Sequence, residues 1–144
     1  MTAPRPLYMA AELVLNASLR RAFEKDNLDT EQIRSLLEEA EIEGVSLDFD
    51  TLEYALRRSL ERMFDRLSLD PTTPGLLPEL EAALGVLASL PFQVNLWKVQ
   101  NVCYDLYQAV YPEFKEKADL NDETARGWVN HFKVLSEKLS IRVE

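Results

Sequence analysis

One stretch of the sequence combines residue types that could bind a sugar. Aromatic and amide side chains recur at spacings of three and four between two prolines, which places them in one row on a helix. The row consists of Trp97, Asn101, Tyr104, Gln108 and Tyr111. Aromatic faces can stack on a sugar ring, while amides and hydroxyls can hydrogen-bond to its hydroxyl groups. Only Lys98 and Asp105 are charged between Pro91 and Pro112, so the surface suits a polar, uncharged partner.

Six residues of this stretch are of the types that bind sugars. They are Asn95, Trp97, Gln100, Asn101, Tyr104 and Tyr107. The same residue types also serve structural purposes. Trp97 and Tyr104 could fill the groove to a neighbouring helix, while the amides bond to buried backbone groups. The residues alone leave both interpretations open.

No catalytic or metal-binding pattern accompanies these candidates. Nucleophilic catalysis needs a nucleophile beside a base. The only histidine, His131, has no acidic partner nearby in sequence, so we interpret it as a structural or surface residue. The only cysteine, Cys103, lies on an apolar seam and is expected to be a small buried hydrophobe. Asp48 and Asp50 resemble the start of a calcium loop, but the glycine and distal glutamate are missing, so helix capping explains Asp50 better. We expect no catalytic residue, metal or cofactor.

Charge is concentrated in the segment 24–53, which we call the acidic segment. It holds eleven acidic and two basic side chains, and the difference of −9 equals the net charge of all 144 residues. Nucleic-acid backbones attract the opposite sign, so that partner class is not expected. The acidic segment is either a solvated helix face or a surface for a basic partner.

The apolar pattern predicts an all-α fold, a bundle of about six mostly antiparallel helices. The first helix runs from about Leu7 to Lys25, the second from Asp29 to Gly44, and the third begins near Asp50. The fourth runs from Leu76 to about Leu90, the fifth lies between Pro91 and Pro112, and the sixth runs from Asn121 or Asp122 to about Ser140. The helix between the prolines carries two stripes: the row above and a seam of Phe92, Leu96, Val99, Cys103, Leu106 and Val110. Pro112 should end or kink it.

The length of 144 residues predicts a single domain, residues 1–144. The N-terminal residues lack the continuous apolar core of a signal peptide, and no apolar run reaches the length of a membrane span. A single cysteine fits a reducing compartment. We therefore expect a cytoplasmic protein without membrane or nucleic-acid partners.

The sequence resembles a C-terminal helical domain of unknown function from bacteria, which follows the catalytic barrel of some family-57 glycoside hydrolases (α-amylase/α-mannosidase-like proteins). The resemblance runs from about Glu12 to Trp128. Three stretches carry it: ELVLNASLRRAFE, EEAEIEGVSLDFDTLEYALRRSLERM, and VNLWKVQN followed by Tyr104. The NLWKVQN core is the distinctive part.

This resemblance implies a non-catalytic accessory domain at the C-terminal end of a larger enzyme. The family's nucleophile and acid/base lie on the barrel, so no catalytic residue transfers to this chain. Helical regions after the barrel pack against it and can border the substrate cleft, which makes the barrel of the same parent chain the expected partner and an oligosaccharide the expected ligand. By this analogy Asn95, Trp97, Gln100, Asn101 and Tyr104 line the cleft or seal the interface. The alternative is an acidic helical protein-interaction module that uses the acidic segment.

Overall fold

The computed structural model describes residues 5–143, with side chains from residue 9 onward. These residues contain seven α-helices and no strand, which confirms the predicted all-α class. The helices are α1 (Arg5–Glu24), α2 (Thr30–Glu43), α3 (Phe49–Leu69), α4 (Leu76–Gly85), α5 (Trp97–Ala109), α6 (Tyr111–Asp119) and α7 (Glu123–Lys138), with a 3₁₀ helix (Val86–Ser89) after α4. No helix among the described residues has the length and apolar character that crossing a membrane requires.

Side-chain caps explain where three of the helices begin. Asp29 accepts a hydrogen bond from the backbone N–H of Gln32 at the start of α2, and Asp122 accepts one from Ala125 at the start of α7. Both agree with the sequence-based prediction. The predicted cap of α3 is wrong, because Asp48 rather than Asp50 bonds to the backbone of Thr51.

The described chain divides into two compact units, so the predicted single domain stays a prediction. The first unit comprises residues up to 59 together with 86–94, and the second comprises 60–85 with the residues from 95 onward. Helix α3 contributes its first half to one unit and its second half to the other. The predicted apolar seam of α3, from Leu52 to Leu67, is buried along its whole length.

In the first unit α1 packs against α2, and α2 packs against the 3₁₀ helix. Leu19, Phe23 and Ile33 are completely buried there. The Ser59 hydroxyl donates a hydrogen bond to the backbone carbonyl of Phe23, so this buried polar group is satisfied rather than destabilising. The ring of Phe92 meets that of Phe23 edge-on, with 6.4 Å between centroids.

In the second unit α7 packs against α4 and α6, and α6 also packs against α5. Trp128 on α7 stacks between Phe114 and Phe132, with ring centroids 4.2 and 4.9 Å away. Its indole N–H donates a 2.7 Å hydrogen bond to the carbonyl of Pro71. Stacked aromatic rings with a satisfied polar edge stabilise this part of the core.

The helix predicted between Pro91 and Pro112 is shorter than expected. Residues 91–96 form no helix, because Phe92 packs on Phe23 and Phe49 in the first unit instead of continuing the seam of α5. At the other end α5 stops at Ala109, as the proline predicts. Pro112 then lies in the first turn of the unpredicted helix α6, where the missing N–H costs little.

Candidate functional site

The exposed side of α5 is the surface on which the sequence-predicted candidates meet. Trp97, Asn101, Tyr104 and Gln108 are all exposed, and their spacings of four, three and four place them in line. We call these four residues the α5 face. Trp97 is 71% exposed and Tyr104 is 49% exposed. Most of Trp97 and about half of Tyr104 therefore face solvent rather than another helix of the described chain.

Hydrogen bonds within the second unit organise the α5 face. The side-chain amide of Gln108 donates to the Tyr104 hydroxyl at 2.9 Å, which orients the phenol along the helix. Asn95 accepts a 3.0 Å hydrogen bond from the backbone N–H of Trp97 and so satisfies one of the free donors at the start of α5. The Lys98 Nζ lies 3.9 Å from Oδ2 of Asp65, so this lysine forms an ion pair with a carboxylate.

Two predicted residues of this stretch have a different role from the one expected. Gln100 donates a 2.9 Å hydrogen bond to the carbonyl of Leu139, which ties α5 to the C-terminal end of α7. Tyr111 is buried and belongs to α6, where its ring packs on Phe132 at 5.6 Å. Of the five candidates for a binding or interface role, the structure brings Trp97, Asn101 and Tyr104 together, and Asn95 lies exposed before the first turn.

The inner side of α5 keeps the α5 face in place. Val99, Cys103 and Leu106 are buried, as the seam predicts. The Cys103 sulfur lies 3.4 Å from the Ser136 hydroxyl. Burial raises the pKa of the Cys103 thiol, and the contact with Ser136 opposes this effect only partly. A thiol that is enclosed and held in its neutral form is a poor nucleophile, which agrees with its interpretation as a core residue.

His131 has an acidic partner that sequence proximity could not reveal. Its Nδ1 lies 2.8 Å from a carboxylate oxygen of Glu81, fifty positions away in the chain. The pair joins α7 to α4, two helices that pack together in the second unit. This contact gives His131 a structural explanation. Among the described residues, no group of three or more histidine, cysteine, aspartate or glutamate side chains could hold a metal ion.

The first unit contains a groove that sequence reasoning missed. Its volume is about 600 Å³, and we call it the α2 groove. Its apolar lining consists of Leu37, Ala40, Val45, Leu47, Phe49 and Pro91. Arg34, Glu38 and Glu41 add charged groups from α2. The signal in the sequence is the alternation of apolar and polar residues in VSLDF, which runs from the loop after α2 to the first residue of α3.

The loop that forms one wall of the α2 groove is fixed by Asn16 of α1. The Asn16 amide donates to the carbonyl of Ser46 at 3.0 Å, and its oxygen accepts from the backbone N–H of Asp48 at 2.7 Å. One side chain thus satisfies two backbone groups of a loop that has no regular structure of its own. These two hydrogen bonds hold the loop to α1.

Comparison with known proteins identifies no relative of this chain. No family model, no curated protein and no solved structure matches the chain. The function has to be argued from the α5 face and the α2 groove themselves.

Proposed function

We propose that this chain is a non-catalytic accessory domain of a family-57-type carbohydrate-active enzyme, and that its α5 face contacts the glycan held by the parent enzyme. The observation that carries the proposal is an exposed, uncharged surface of two aromatic rings and two amides. Burying a large apolar side chain contributes about 1.5–3 kcal/mol of favourable free energy, and most of Trp97 remains in water. A ligand that covers the ring recovers part of that free energy.

The spacing of the two aromatic residues suits an extended ligand. Trp97 and Tyr104 are seven residues apart, which corresponds to about 10 Å along the helix axis. Asn101 lies between them and offers both a donor and an acceptor. A short oligosaccharide could stack on both rings and hydrogen-bond to the amide between them.

The chemistry of glycoside cleavage is assigned to the barrel of the same parent chain. This assignment rests on the resemblance of NLWKVQN and its flanking stretches to the C-terminal domains described above. In this chain Cys103 is enclosed, and His131 is bonded to Glu81. The proposed contribution of this chain is to hold glycan, with the barrel as its partner.

Tryptophan fluorescence during titration with malto-oligosaccharides and manno-oligosaccharides tests the glycan contact. The chain has two tryptophans, and Trp128 is shielded in the core, so a ligand on the α5 face should change only the emission of Trp97. We expect a saturable change that disappears in Trp97→Ala. Tyr104→Ala should weaken binding about two- to thirteenfold, since an aromatic contact contributes about 0.5–1.5 kcal/mol.

Tyr54→Ala is the matched control, because Tyr54 is an equally large phenol that is 57% exposed on the first-unit half of α3. It should leave the titration unchanged. The glycan contact is refuted if neither sugar series gives a saturable signal, or if Tyr54→Ala reduces the affinity as much as Tyr104→Ala does.

The parentage has an independent test in the gene. We expect an open reading frame that encodes a family-57 catalytic barrel to continue in frame into this sequence. A gene without a barrel-coding region would contradict the parentage. It would leave the glycan titration to decide the role of the α5 face separately.

A further inference from the structure

The α2 groove has two properties that the proposed function does not use. It is an open, apolar concavity of about 600 Å³, a volume within the range of ligand-binding clefts. It also lies within the most acidic part of the molecule. Both properties belong to the first unit, whereas the α5 face belongs to the second.

The apolar lining of the α2 groove is accessible. Phe49 is 45% exposed although its ring already contacts Phe92, with centroids 5.6 Å apart. Val45 and Leu47 are half-buried, while Leu37 and Ala40 close the groove from α2. An occupant would therefore cover apolar surface that the described chain leaves in contact with water, which is favourable in proportion to the area covered.

The charges around the α2 groove are predominantly negative. Glu38 and Glu41 line it and are exposed, against one lining cation, Arg34. The acidic segment, to which these three residues belong, has eleven acidic and two basic residues. Ten of those eleven acids are exposed, the half-buried exception being Glu53, which pairs with Arg57 at 3.1 Å. This field attracts cations and repels anionic ligands and membrane surfaces.

We infer that the α2 groove binds a basic amphipathic helix of a partner protein. An amphipathic helix places an apolar stripe of residues at spacings of three and four into an apolar groove. Lysine or arginine residues beside that stripe would meet Glu38, Glu41 and the neighbouring acids, which fixes the orientation and speeds the encounter. The apolar lining and the acidic surroundings are thus complementary to the two faces of one kind of segment.

Fluorescence anisotropy with a labelled model peptide tests this inference on the full chain. The probe is a leucine–lysine peptide of about 18 residues, or five helical turns, with all leucines on one face. The comparison peptide has the same composition in a shuffled order that spreads the leucines around the helix. We expect saturable binding of the first peptide and at least about tenfold weaker binding of the second.

Variants of α2 separate the groove from the general charge of the acidic segment. Glu38→Gln with Glu41→Gln should weaken binding about tenfold, as expected for two partly exposed charge pairs. Glu39→Gln with Glu43→Gln removes the same charge from exposed positions of the same helix that do not line the groove, and should weaken it only about twofold. Equal losses from both pairs, or equal affinity for both peptides, would overturn the inference in favour of unspecific attraction.

Nuclear magnetic resonance of the wild-type chain locates the peptide without relying on a variant that must fold. We expect the largest amide shift changes at residues 37–49. Changes centred on α5, or on residues outside the first unit, would overturn the assignment to the α2 groove. Because this site is separate from the α5 face, its failure would not affect the glycan titration.

Discussion

The two tryptophans of the second unit occupy opposite environments. Trp128 is 7% exposed, lies between two phenylalanine rings and donates its indole N–H to a backbone carbonyl. Trp97 is 71% exposed. A tryptophan in a core contributes through buried area and a satisfied N–H, and only Trp128 has both. The ring of Trp97 therefore remains accessible to a ligand.

Asp48 gives a prediction about the pH dependence of stability. The Thr51 hydroxyl donates to its carboxylate at 2.7 Å and the Thr51 backbone N–H at 3.3 Å; these bonds, chiefly the first, lower the pKa of Asp48 below 3.8. The unfolded chain then binds more protons in the window below 3.8. The stabilisation is complete above that value and is lost as the pH falls through the lowered pKa.

We expect Thr51→Val to raise the pKa of Asp48 toward 3.8, because it removes the stronger of the two hydrogen bonds. Carbon-detected NMR titration of the aspartate carboxylates measures this directly. Urea unfolding between about pH 2 and pH 5 should show a shallower loss of stability in the variant. A wild-type Asp48 that titrates at or above 3.8 would contradict the prediction.

Spacing alone identifies which residues of α5 share a face, but not which of them are used internally. It correctly groups Trp97, Asn101 and Tyr104. It cannot show that Gln100 bonds to the carbonyl of Leu139, because that partner lies 39 positions away. For the same reason it cannot show that Glu81 pairs with His131. Long-range pairings depend on tertiary packing, which periodicity does not encode.

At the level of elements, the prolines indicate helix ends more reliably than they indicate the next element. Pro112 predicts the end of α5, and α5 does end at Ala109. The pattern beyond it predicts no helix, although α6 begins at Tyr111. Its nine residues present only Tyr111 and Ala118 as buried positions, too few for a periodic signal. Short helices of this kind are defined by the elements that they pack against.

Two glycines have different backbone conformations, so we expect their replacement by alanine to change the free energy of unfolding in opposite directions. Gly44 has φ +65° and ends α2 by donating its N–H to the carbonyls of Ala40 and Glu41. Gly44→Ala should lower the free energy of unfolding by about 1 kcal/mol, because a Cβ is strained in the left-handed region. Gly127 lies within α7, and a Cβ there would meet nothing within 4 Å.

Gly127→Ala should therefore raise the free energy of unfolding by about 0.5–1 kcal/mol, since alanine loses less backbone entropy in a helix than glycine does. Urea denaturation of both variants and the wild type measures the two changes. Two variants that shift stability in the same direction would contradict the assigned conformations.

At the scale of the whole chain, the uneven charge gives a prediction about salt. The entire net charge of −9 lies in the acidic segment, which belongs to the first unit. Like charges held close together destabilise the folded state through repulsion. Potassium chloride raised from about 0.01 M to about 1 M shortens the Debye length from about 30 to about 3 Å. We expect the thermal midpoint to rise over this range.

Glu39→Lys should reduce that rise, because it removes one negative charge from the acidic segment and adds a positive one. Glu116→Lys on α6 makes the same change outside the segment and should have a smaller effect. Differential scanning fluorimetry at matched salt concentrations compares the three proteins. A midpoint that is insensitive to salt would mean that repulsion in the acidic segment does not limit stability.

The enclosed thiol of Cys103 has a practical consequence. It is completely buried in the second unit, and it is the only cysteine of the chain. An alkylating reagent can reach it only when that unit opens, so the rate of modification reports the population of open molecules. Alkylation of Cys103, followed by mass spectrometry, therefore measures the opening of the second unit in the wild-type chain.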